Sequence, residues 1–193
     1  PETGKLTEPK PLRGIMVDSP WLYVNTSKIM DCKFWGLRAD YLGYPAPGCQ
    51  SCWKVVARPR TLKETFLMLN MMEIMVEEDP TCYCKIGSEV RPYTFGNWGA
   101  YFYNRSLEKG REKYLWVREM VDKYVHPDCS VILKRACTEM ERKYGDTREW
   151  DKKYKTPKVE LWERIVEESF DRDGFPNDAA SKQPDFVRKH VMA

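Results

Sequence analysis

Apolar and polar residues follow two periods along this chain. Trp53-Lys54-Val55-Val56-Ala57-Arg58 is rich in β-branched residues and is bounded by Pro59, so it reads as a strand. Thr61-Leu62-Lys63-Glu64 then has the form of a capping box, and the apolar run behind it predicts a helix to about Glu78. Asn70, Glu73 and Glu77 fall three and four residues apart on one narrow polar stripe. The rest of that helix, including Met68, Met71, Met72 and Met75, is predicted to be buried. Asp79-Pro80 stops it. Residues 84–91 read as a second strand, 95–99 as a turn and 100–103 as a third strand that completes a hairpin. Ser106 caps a helix to about Val125, with Tyr114, Val117, Val121 and Tyr124 facing inward.

The flanks are less regular. Residues 1–20 carry Pro9, Pro11 and Pro20 and predict an irregular arm, followed by a short apolar run, Trp21-Leu22-Tyr23-Val24. From residue 32 to 48, Gly36, Gly43, Pro45, Pro47 and Gly48 interrupt an aromatic-rich stretch, which predicts a packed loop. Residues 130–144 fit a helical face through Ile132, Leu133, Ala136, Cys137, Met140 and Tyr144, with Gly145 as a stop. An edge strand starting at Val131 is the alternative. Thr156-Pro157 opens a last helix, with Val159, Trp162, Val166 and Phe170 inward and Gly174 at its end, followed by a tail over 175–193.

This order predicts an α+β protein. The expected architecture is a small mixed sheet of three to five strands with two or three helices on one face and a C-terminal helical extension. The segments divide as an N-terminal arm and aromatic loop (1–48), an α+β core (49–150) and a C-terminal helix and tail (151–193).

Composition narrows the class. The 193 residues are 42% hydrophobic and 32% charged, as in globular proteins. The net charge of +3 is nearly balanced, so any nucleic-acid contact has to come from a local patch rather than from bulk charge. No apolar run reaches about 20 residues, which predicts no transmembrane helix and no membrane partner. Residues 1–10 lack a signal-peptide core, so a cytoplasmic setting is expected over the secreted one that the sequons at Asn25 and Asn104 would suit.

Cysteine spacing carries the sharpest chemistry. Cys49-x-x-Cys52 and Cys82-x-Cys84 each precede a predicted strand. A strand-helix-strand unit starts its two strands at the same end of the sheet, so these four thiols are expected to gather there. Four thiolates suit either Zn²⁺ or an iron–sulfur cluster, and spacing alone does not separate the two. Cys32 is the alternate ligand. Buried thiols without a metal, or disulfides, are the competing readings.

Other groups are candidates for chemistry. Cys137, next to Lys134 and Arg135, is a candidate nucleophile. Glu139, with Glu89, Glu141 and Lys134, is a candidate acid of a phosphodiester-cleaving site using Mg²⁺ or Mn²⁺. His126 and Cys129 have the spacing of a metal half-site, and His190 is the other histidine. Tyr101 and Tyr103 share one strand face, as stacking aromatics do in RNA-recognition sheets, although the basic residue and Gly that usually precede them are absent.

The expectation is a metal-stabilised binding module, carrying zinc or an iron–sulfur cluster, for nucleic acid or a protein. The alternatives are an iron–sulfur or cysteine-dependent enzyme and a structural assembly protein.

Overall fold

A computed structural model describes residues 20–25 and 32–169. The expectations for residues 1–19, for Phe170, for Gly174 and for the tail with His190 lie outside the described residues. The elements in order are β1 (Trp21–Asn25), α1 (Cys32–Leu42), α2 (Pro47–Gln50), β2 (Trp53–Arg58), α3 (Leu62–Glu78), β3 (Cys84–Ser88) and β4 (Trp98–Asn104). They continue with α4 (Leu107–Tyr124), β5 (Ser130–Arg135), α5 (Thr138–Tyr144), a 3₁₀ turn (Thr147–Glu149), α6 (Trp150–Tyr154) and α7 (Pro157–Ser169).

The class is α+β, with a C-terminal helical region. The five strands lie in the order β1-β3-β4-β2-β5, and every neighbouring pair is antiparallel. β2 and β3 still run in the same direction, because β4 sits between them. The sheet is antiparallel throughout rather than mixed, because β4 separates the two parallel strands β2 and β3. β2-α3-β3-β4-α4-β5 is a split β-α-β-β-α-β unit, and β1 extends it at the β3 edge.

Side chains alternate between the two faces of the sheet. Val55, Ala57, Cys84, Ile86, Ala100, Phe102 and Val131 face α3 and α4 and pack with Met68, Met71, Met72, Met75, Val117 and Val121 in the main core. The four methionines are fully buried, as the helical pattern predicts. On α4, Val117 and Val121 are buried and Tyr114 packs on the core, whereas Tyr124 is exposed. Both long helices begin as the sequence indicates. The Thr61 hydroxyl accepts from Glu64 N (3.1 Å) and the Ser106 hydroxyl accepts from Lys109 N (3.2 Å). The Glu64 carboxylate reaches one residue further back than a standard capping box, accepting from Arg60 N (2.7 Å).

That carboxylate also carries a pH dependence. Hydrogen bonds from the Arg60 side chain lead in drawing its pKa down to about 2, burial opposes them, and the Arg60 backbone and Cys129 thiol add to the lowering. A carboxyl depressed in the folded state stabilises above its ordinary range and loses that contribution as pH falls toward about 2. Glu64→Gln is therefore expected to flatten the acid limb of stability. Urea unfolding at a series of pH values measures it, and an unchanged limb contradicts this assignment.

Three expectations are corrected. Residues 32–42 are helical rather than a loop, and Gly43, at φ +74°, ends the helix with its N–H on Ala39 O (2.9 Å). Residues 130–135 are a strand paired along their whole length with β2, and only 138–144 form a helix. Trp162 is exposed rather than inward, together with Leu161 and Ile165 on α7. The first two share a cause: a second core that the periodicity does not reveal. Ala39, Tyr44, Ala46, Ala136, Tyr144, Trp150 and Tyr154 form it, with Trp35 and Leu42 of α1 packed against them. Trp35 lies flat on Gly48, where any Cβ would overlap the indole.

Candidate functional site

The sheet face opposite α3 and α4 is the floor of an open cleft of about 440 Å³. Lys54, Val56 and Arg58 of β2 contribute to it, as do Lys85 of β3, Tyr101 and Tyr103 of β4, and Ile132 and Lys134 of β5. Trp21, the 90–95 loop and the start of α5 form its walls. The register explains the composition. Lys54 pairs with Tyr103 on one side and Lys134 on the other, and Val56 pairs with Tyr101 and Ile132. Period-two alternation thus sends the polar and aromatic members of four strands to one side.

Five cations line this cleft: Lys54, Arg58, Lys85, Arg91 and Lys134. Two carboxylates oppose them. Glu89, whose side chain is 0% exposed, is bonded by Arg91 (2.5 Å) and by the Tyr101 hydroxyl (2.8 Å), with Arg58 at 3.6 Å. Burial works against its charge, but Arg91 and Tyr101 outweigh that and hold the carboxyl below its ordinary range. Glu139 pairs with Arg91 and accepts from the Tyr93 hydroxyl (3.3 Å). Burial opposes its charge too, while its own backbone N–H and Arg91 keep it low.

Glu139 is thus placed as an ion-pair partner of Arg91. Glu141 pairs with Lys134 at 3.7 Å. The carboxylates proposed for a phosphodiester-cleaving site are each held by a cation.

Tyr101 and Tyr103 do share the open face, but each is only 7% exposed. Lys54 Nζ lies over the Tyr103 ring at 5.2 Å, Arg58 over Tyr101 at 5.4 Å, and Trp21 meets Tyr101 edge-on at 5.3 Å. The accessible aromatic surface is on the rim instead, at Phe95 (85% exposed) and Tyr93.

The cysteines are divided differently from the expectation. β2 and β3 do start at the same end of the sheet, but the two pairs sit on opposite faces. Cys82 and Cys84 are buried in the main core, with Cys84 opposite Phe102. Cys52 packs on the other face, against Val56, Tyr101 and Tyr103. The sheet itself thus separates Cys49 and Cys52 from Cys82 and Cys84. The spacing argument fixed the end of the sheet and not the face, and C-x-C before β3 leaves Cys84 inside the strand.

Cys49 and Cys52 instead share a small cavity of about 40 Å³ with Cys32 and Cys137; Lys54 and Arg105 also line it. Burial leads in pushing the Cys49 and Cys52 thiols up, and neighbouring thiols add to it. Burial works against the Lys54 ammonium, but neighbouring Cys137, Tyr103 and Cys52 favour it, and the net direction is up.

Cys137 follows Ala136, whose φ of +55° is unusual for a residue with a Cβ. Among the described residues, no group of three or more His, Cys, Asp or Glu side chains stands ready-made to hold a metal ion. Cys129 is buried, its thiol on Glu64 (3.3 Å), while His126 is exposed and its Nδ1 accepts from Asp128 N (3.1 Å), so the two do not form a half-site.

No family model matches this chain, and neither does any curated protein or solved structure.

Sequence reasoning missed Arg58, Lys85 and Lys54 as members of one site. Their alternation with apolar residues along β2 and β3 was a signal that could have found them. Asn25 and Asn104, the sequon residues, have their amides engaged with backbone carbonyls, and Asn104 is buried. Among the described residues no helix is long and apolar enough to cross a membrane.

Proposed function

We propose that the cleft binds single-stranded nucleic acid, holding one or two nucleotides at a time. The observation that carries this reading is the lining: five cations and one carboxylate, Glu139, around a strand-built floor, with exposed aromatic rings at the mouth. Phosphates are attracted by the cations, and bases stack on rings of any identity. The volume of about 440 Å³ falls within the range of small-ligand pockets. The split β-α-β-β-α-β order leaves one sheet face uncovered by its two helices, which is the face such modules use. The reading includes a reducing, cytoplasmic setting, which suits thiols at C-x-x-C spacing.

Fluorescence anisotropy with single-stranded RNA and DNA oligonucleotides tests it. Affinity is expected to fall steeply with salt, at a logarithmic slope of about −0.7 for each phosphate engaged. Phe95→Ala is expected to lose about 1–3 kcal/mol of binding, the worth of one stacked base. Its side chain is 85% exposed, so stability is expected to stay unchanged. Binding that ignores both salt and Phe95 would remove the reading.

A further inference from the structure

We infer that Cys32, Cys49, Cys52 and Cys137 are the ligands of a single Zn²⁺, bound in the cavity between α1, the α2–β2 turn and the β5–α5 bend.

The ligands come from three segments that backbone contacts already tie together. Pro47–Gln50 is one helical turn, and the bonds from Cys49 N to Ala46 O (2.8 Å) and from Cys52 N to Cys49 O (3.3 Å) fix the C-x-x-C bend. Arg135 Nε clamps that bend at Gln50 O (2.6 Å). Ala136 N donates to Cys52 O (2.7 Å), joining the bend to the residue just before Cys137. Ala136 adopts its left-handed backbone at this point, a conformation disfavoured for an L-residue, and it turns the chain abruptly from β5 into α5. Cys32, the first residue of α1, completes the lining.

A second observation points to a ligand. Lys54 is 5% exposed and lines both this cavity and the open cleft, with its Nζ over the Tyr103 ring at 5.2 Å. Its cross-strand neighbour is another cation, Lys134, a pairing that is unfavourable by itself. Two ammonium groups side by side at one wall favour an anion nearby. Four thiolates around Zn²⁺ carry a net charge of −2, and Lys54 with Arg105 supplies the opposite charge at the cavity wall. Binding replaces four S–H bonds with four S–Zn bonds and releases four protons to solvent, with no change of oxidation state. Each thiol has a single torsion to turn, among staggered positions, in closing on the ion. About 40 Å³ is a few times the space one water needs, which is room for one metal ion.

The inference does not rest on the nucleic-acid reading. The test uses the full, reduced chain under anaerobic conditions, titrated with Zn²⁺ and, separately, with Co²⁺. Expected are one ion per chain, the intense visible bands of tetrahedral cobalt–thiolate coordination, and protection of Cys32, Cys49, Cys52 and Cys137 from alkylation, mapped by mass spectrometry. The reactivity of Cys82, Cys84 and Cys129 is expected not to change with metal. Cys137→Ser is expected to weaken binding at least about a hundredfold, the upper loss seen for second-sphere partners alone. Because a variant can fail to fold, the protection map on the unaltered chain decides. Failure to bind either ion, protection of a different set that includes Cys82 or Cys84, or isolation of a Cys49–Cys52 disulfide in place of metal overturns the inference.

Discussion

Glu89→Ala is expected to lower stability by about 3–5 kcal/mol while tightening the binding of anions in the cleft. The first effect follows from what the carboxylate holds. Its side chain is 0% exposed, and Arg58, Arg91 and the Tyr101 hydroxyl converge on it. Removing the buried carboxylate leaves Arg58 and the Tyr101 hydroxyl without this acceptor, while Arg91 keeps Glu139, and breaking such a cluster costs up to about that much. The second effect has the opposite sign because the same cations face the cleft, where a phosphate can replace the lost carboxylate. Glu89→Gln keeps the size and an acceptor for Tyr101, so it is expected to fall between wild type and alanine in stability. Urea unfolding and anion titration on the same samples measure both. A stability loss of under about 1 kcal/mol would show that the cluster is not desolvated in the way the burial indicates.

Trp150→Ala is expected to cost a further large amount, about 3–5 kcal/mol, the range for truncating a buried aromatic residue. Trp150 is fully buried, donates from Nε1 to Gly145 O (2.9 Å) and sits at the centre of the second core with Tyr144 and Tyr154. Those tyrosines bind the segments to one another, Tyr144 through Ala39 O (2.8 Å) and Tyr154 through Tyr144 O (3.1 Å). Arg135 lies over the Trp150 ring at 5.8 Å and also donates to Gln50 O, so losing the ring loosens the clamp on the C-x-x-C bend. Weaker Zn²⁺ binding is expected to accompany the stability loss. Amide hydrogen exchange distinguishes a loss confined to α1, α5 and α6 from one shared with the main sheet. Unaltered exchange in α1 would contradict the packing described.

Legibility in the sequence followed the range of the interactions. Thr61 and Ser106 act within three residues, so both long helices were readable to within a residue or so at their starts. The alternation of Trp53–Arg58 and the Met-rich stripe of α3 were equally local. Residues 130–144 mislead because Ala136 and Tyr144 are buried, and Met140 partly so, at helix-like spacing, yet by two unrelated surroundings. Ala136 packs at the end of a strand, and Tyr144 packs against α1 more than a hundred positions earlier. Tyr101 and Tyr103 were correctly put on one face, but only the cross-strand register brought Lys54, Arg58 and Lys85 up beside them.

By itself, the sequence determined the α+β class, the burial of the methionine helix, the shared starting end of β2 and β3, and the presence of closely spaced thiols. Each of these depends on residues near one another along the chain. Tertiary structure alone decided which thiols meet, which face the cations share and that α1 is a helix. Face and neighbour are set by strand order and by the second core, where chain segments a hundred residues apart compete for the same buried surface.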